Sequence, residues 1–156
     1  MYKYSEDKGA NDPSFYFYTE FGLSYYVSFR NMSQDNFPLN NLYSLDFGEV
    51  NNLKGRKDMK ISSTILNIII DFLNSDKSII IHFLCDSEDL RQLNRKRLFN
   101  RWFSICGMDN WVKYDYDFDS VDYNISFLYC SEVYDTSLVE SEILLSLDAL
   151  ERVKNQ

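Results

Sequence analysis

From Trp111 to Asp119 the chain alternates without a fault, and this stretch limits the fold more than any other. Val112, Tyr114, Tyr116 and Phe118 take one side; Lys113, Asp115, Asp117 and Asp119 take the other. A period of two is the mark of a strand with one apolar and one wet face. Tyr123, Ile125, Phe127 and Tyr129 then alternate with Asn124, Ser126, Leu128 and Cys130, and the short link over 120–122 predicts an antiparallel hairpin.

The other elements follow from the same reasoning. Residues 1–13 are polar, end in Asn-Asp-Pro and read as a flexible N-terminal arm before a single domain over 14–156. Ser14 to Tyr18 and Leu23 to Phe29 make an aromatic hairpin about a turn at 19–22, and Tyr43, Leu45 and Phe47 mark a third strand. Asp58 is placed to cap a helix whose residues Ile61 to Leu73 are apolar around most of the circumference, leaving a polar strip of Ser63, Thr64, Asn67 and Asp71. Ile79 to Cys85 is apolar on both faces except at His82, the pattern of a central strand. Asp86 or Ser87 caps a helix from Glu88 to about Ser104, and Ser137 with Glu140 matches a capping box before a last helix through Val153. The order β-β-β-α-β-α-β-β-α predicts an α+β domain with a mostly antiparallel sheet and helices packed on it.

Charge narrows the function. The 156 residues carry a net charge of −8, which argues against nonspecific nucleic-acid binding and against docking on anionic membranes. The longest apolar run is too short to span a bilayer, and the first residues hold no apolar leader segment. Cys85, Cys106 and Cys130 are odd in number and far apart, so buried thiols in a reducing cytoplasm are expected.

Against that acidic background the helix after Cys85 carries Arg91, Arg95, Lys96, Arg97 and Arg101. Arg91 and Arg95 share a face with Leu98 and Trp102. Two readings stand. The arginines could form a small-anion or nucleotide site at the helix start, oriented by Asp86 and Asp89. Alternatively they pair inside the fold. Residues 88–103 are net +3 and residues 109–122 net −4, and internal pairing is favoured because buried charge must be matched. The sequence Asp115-x-Asp117-x-Asp119 resembles the opening of a calcium loop, but Ser120 stands where glycine is needed and Ser126 where the bidentate Glu belongs. His82 is the only histidine and reads as a hydrogen-bonded core residue. No metal site, cofactor loop or catalytic set is evident.

Three segments, FYFYTEFGLSYYVSF, ISSTILNIIIDFL and CDSEDLRQLNRKRLFNRWF, spanning positions 15 to 103, resemble a family of small bacterial proteins with a domain of unknown function of about this length. That resemblance implies the fold and supplies no activity. The expectation for function is therefore a non-catalytic binding protein. It reads as a protein-interaction module of the immunity- or defence-associated type. It would meet another protein, a basic one, through Asp115, Asp117 and Asp119 with Trp111 or Tyr114. A divergent metal-dependent hydrolase or nuclease using Asp86 and Asp89 is the remaining alternative.

Overall fold

The computed structural model describes residues 1–32, 41–53, 58–86, 101, 110–117 and 123–154. These form an α+β structure. The strands are β1 (Tyr4–Glu6), β2 (Ser14–Tyr18), β3 (Ser24–Asn31), β4 (Leu42–Glu49), β5 (Ile80–Asp86), β6 (Trp111–Asp117) and β7 (Tyr123–Cys130). The helices among the described residues are α1 (Met59–Ser75) and α2 (Thr136–Lys154), and Arg101 is also helical. The strands form one seven-stranded sheet in the order β1-β2-β3-β4-β5-β7-β6, with β1–β2, β2–β3, β5–β7 and β7–β6 antiparallel. Most of the expected helix over 88–104 lies outside the described residues.

Contacts gather into two compact units. The first comprises Met1–Asn31 and Ser44–Asp76. Its β2–β3 hairpin turns at Gly22, whose φ of 77° suits a residue without a Cβ. Phe17, Val27 and Phe29 face inward, and Ile65, Ile68, Ile69 and Leu73 of α1 complete the core. Phe29 and Phe72 stack with centroids 3.9 Å apart. Glu49 is buried, and its Oε2 accepts the backbone N–H groups of Asn51 (2.7 Å) and Leu53 (2.6 Å), which closes the loop leaving β4.

The stretch over 1–13, read from sequence as an arm, contains β1, which pairs Tyr4 with Phe17 and Glu6 with Phe15. It also covers the polar strip of α1. The Tyr2 amide donates to Thr64 Oγ1 (2.8 Å), the Tyr2 hydroxyl donates to Asp58, and the Tyr4 hydroxyl donates to Asp71. Thr64, expected to be wet, is fully buried for this reason and returns its own hydroxyl to the Lys60 carbonyl (2.6 Å). Asp58 caps α1 as expected, accepting from the Lys60 amide.

The second unit comprises Met32–Tyr43 and Lys77–Gln156. Its core joins Leu42, Ile80, Ile125, Phe127 and Tyr129 of the strands to Val139 and Ile143 of α2. Helix α2 begins two residues earlier than the capping-box reading implies. Its cap is Asp135, whose Oδ1 accepts from Ser137 N (2.9 Å) and Leu138 N (3.4 Å), because a carboxylate in this position serves two free amides at once.

Phe29→Ala removes a fully buried ring with its stacking partner and is expected to cost about 3–5 kcal/mol. Tyr18→Ala, on the neighbouring strand but 73% exposed, should stay within about 0.5 kcal/mol. Urea denaturation of the two variants tests the difference.

Candidate functional site

The ladder of β5, β7 and β6 positions the chemistry of the second unit. Residues directly opposite one another project to the same face of a sheet. His82 pairs with Phe127, which pairs with Tyr114. Tyr129 pairs with Val112, and Ile125 with Tyr116. Those residues share the face covered by Val139 and Ile143 of α2. The alternate residues share the other face: Trp111 opposite Cys130, Lys113 opposite Leu128, and Asp115 opposite Ser126, which is itself opposite Phe83.

On this second face Asp115 is held in place. Lys113 Nζ donates to both its oxygens (2.6 and 2.8 Å), and Ser126 Oγ donates to Oδ1 (2.6 Å). The Lys113 side chain is only 9% exposed, whereas Asp115 is 41% exposed. The lysine is therefore the packed member of the pair and the carboxylate is the group presented to solvent. Its anionic character is reduced but not removed. The expected wet face of the strand is thus a hydrogen-bonded cluster of Lys113, Asp115 and Ser126 at this position.

The α2 face holds a different set. Among the described residues, neither ring nitrogen of His82 nor the Tyr129 hydroxyl has a hydrogen-bond partner, though all three atoms are sealed from solvent. The His82 ring as a whole is half-buried and lies 5.9 Å from the Phe127 ring. Its placement in the core agrees with the sequence reading; its lack of hydrogen bonds does not, because its cross-strand neighbour Phe127 is an aromatic ring without a polar group to offer. An unmatched buried polar atom costs about 1–3 kcal/mol. Desolvation lowers the His82 pKa to about 4. Tyr114, in the same row, has its pKa raised by burial first and then by Glu140 of α2 and by Tyr129, which brings these groups into one neighbourhood.

Residues 57–141, more than half of the chain, match the model of DUF6169, a family of unknown function. The chain belongs to this family. The DUF6169 match spans α1, β5, β6, β7 and the start of α2, so both clusters lie inside it. It shares positions 57–103 with the resemblance read from sequence. No curated protein and no solved structure matches the chain.

Within the DUF6169 segment the residues singled out from sequence fall as follows. Trp111 and Asp115 share a face, and Asp117 is the last residue of β6, its backbone opposite Asn124. Tyr114 is on the opposite face, packed against the core, and does not join the aspartates. Asp86 ends β5, with its backbone opposite Tyr123. Arg101 is exposed. Asp89, Arg91, Arg95 and Asp119 lie outside the described residues. No three His, Cys, Asp or Glu side chains among the described residues gather to hold a metal ion. No described helix is long and apolar enough to cross a membrane. The pair that sequence reasoning missed is His82 with Tyr129. The available signal was a lone histidine in an apolar strand facing a hairpin strand rich in aromatics.

The His82 shift has a defined pH signature. Its folded-state pKa of about 4 lies below the ordinary 6.5, so the unfolded chain binds the proton more readily. Above pH 6.5 protonation of the histidine contributes nothing to the pH dependence, and about 3 kcal/mol of stability is lost as pH falls from there to about 4. Denaturant titrations across this window should show that loss in the wild type and its absence in His82→Phe.

Proposed function

We propose that this chain works by binding rather than catalysis, as an interaction module of the immunity- or defence-associated type that meets another, basic protein. The supporting observation is the Asp115 carboxylate. It is fixed by Lys113 and Ser126, half-exposed, and on the same face as Trp111 of strand β6. β6 stands at the end of the sheet order. A preorganised carboxylate loses little entropy when a cation meets it, and Trp111, four residues away on the same face, adds apolar area to that surface. The overall charge of −8 favours encounter with a basic partner and makes that encounter salt-dependent. The buried free thiol of Cys130 is in keeping with a reducing compartment such as the cytoplasm.

Affinity capture from the native host, with the whole chain as bait, tests the reading. A basic protein should be retained at low salt and released as salt rises. Asp115→Ala with Trp111→Ala should weaken its capture at least tenfold, while Tyr18→Ala, in the other unit, leaves it unchanged. Failure to retain any protein, or equal retention by the double variant, would contradict the proposal.

A further inference from the structure

In the first unit, successive strand residues project to opposite faces of the sheet. One face carries the core residues Phe17, Val27, Phe29, Leu45 and Phe47. The residues between them form the other face. Across β2 and β3, Tyr16 pairs with Tyr26, Tyr18 with Ser24 and Ser14 with Ser28. The Val50 amide donates to the Ser24 carbonyl (2.8 Å), which carries the Tyr18 row past the end of β4. Tyr26 lies beside Gly48, and its hydroxyl donates to Asp46 Oδ2 (3.0 Å). Tyr18 is 73% exposed and Val50 49% exposed; Tyr16 and Tyr26 are half-buried and Asp46 is exposed. Over β1, β2, β3 and residues 44–49 of β4, the charged residues of this face are Arg30 and Asp46, one of each sign. A Cβ at Gly48 would sit 3.6 Å from the Tyr26 ring, an ordinary contact, and the backbone there is not left-handed. Neither packing nor φ therefore requires glycine. What the missing side chain provides is room beside the Tyr26 ring.

We infer that this face binds a short, neutral oligosaccharide, with sugar rings laid on Tyr16, Tyr18 and Tyr26 and sugar hydroxyls meeting Asp46 and Ser28. A pyranose has C–H groups on its face and hydroxyls around its rim. The C–H groups are drawn to the negative face of an aromatic ring. The rim needs donors and acceptors beside that ring. Tyr26 and Asp46 supply both requirements together: their hydrogen bond orients the ring, and the carboxylate keeps lone pairs for further donors. Charge and size select against other occupants. A single-stranded nucleic acid needs cations along its phosphates, and this face offers one arginine offset by one aspartate. A stable protein interface buries roughly 800 Å² per partner. Three strands about 4.8 Å apart, with the five residues of β2 rising about 3.4 Å each, cover only on the order of 200 Å². The saccharide is independent of the partner proposed for Asp115, which belongs to the second unit.

Nuclear magnetic resonance titration of the isotope-labelled full chain tests the site. The probes are cellotriose, maltotriose and triacetylchitotriose, with a thymidine hexanucleotide as the anionic stacking control. At least one trisaccharide should shift the amide signals of Tyr16, Tyr26 and Gly48 saturably, with a Kd in the millimolar range or tighter. The hexanucleotide should leave them in place. Tyr18→Ala removes one ring, and Tyr26→Phe keeps its ring but loses the bond that orients it. Each should weaken the response by about threefold or more. Tyr18→Ala is expected to leave stability almost unchanged, so its effect is not that of unfolding. The inference is overturned if no trisaccharide shifts these signals, if the hexanucleotide binds as well, or if either variant responds like the wild type. It is also overturned if the same signals move on dilution without sugar, which would make the occupant a second copy of the chain.

Discussion

The pairing of β5, β7 and β6 is the constraint on which the second unit depends. In an antiparallel ladder the side chains of each strand project to alternate faces, so the register decides which residues meet. Here it joins His82, Phe127 and Tyr114 in one row and places Asp115 opposite Ser126 on the other side. A slip of one residue in β6 would carry Lys113 and Asp115 onto the face packed by α2 and put Tyr114 and Tyr116 on the other. Burying that carboxylate among Ile80, Phe127 and Val139 would cost far more than the ladder could return, so the charge pattern itself guards the register.

From this division come two surfaces of different chemistry. The Asp115 face resolves its charges locally, with Lys113 and Ser126 orienting a carboxylate that remains half in water. The α2 face is apolar but carries His82 and Tyr129 unmatched among the described residues. Charge is satisfied where solvent is near, and polar groups are unsatisfied where solvent is excluded. That inversion is the reason the α2 face, which looked like ordinary core in the sequence, holds the more demanding chemistry.

Much of the architecture was legible because hydrophobic period is a direct record of burial. Ser14 to Tyr18 was read as a strand to the residue, and the alternation from Trp111 and from Tyr123 revealed β6 and β7. The misses have physical causes. Tyr4-Ser5-Glu6 is too short and too polar to show a period, yet it pairs because Phe15 to Phe17 offers an edge. The polar strip of α1 looked solvent-facing because a sequence cannot show that Tyr2 and Tyr4 return to it from more than fifty residues away. Ser137 matched a cap motif that Asp135, with a stronger acceptor, pre-empts. For the candidate sites, the acidic row was visible by spacing, but that Ser126 donates to Asp115 depends on the neighbouring strand. The orphaned state of His82 depends on every residue around it, which no local pattern encodes.

The most direct test of this account is the ladder register, measured by cross-strand nuclear Overhauser effects in the isotope-labelled protein. Backbone contacts linking Asp115 with Ser126, Tyr114 with Phe127, and Phe127 with His82 are the predicted result. Contacts displaced by one residue, joining Asp115 with Phe127 or Tyr114 with Ser126, would exchange the two faces and contradict it.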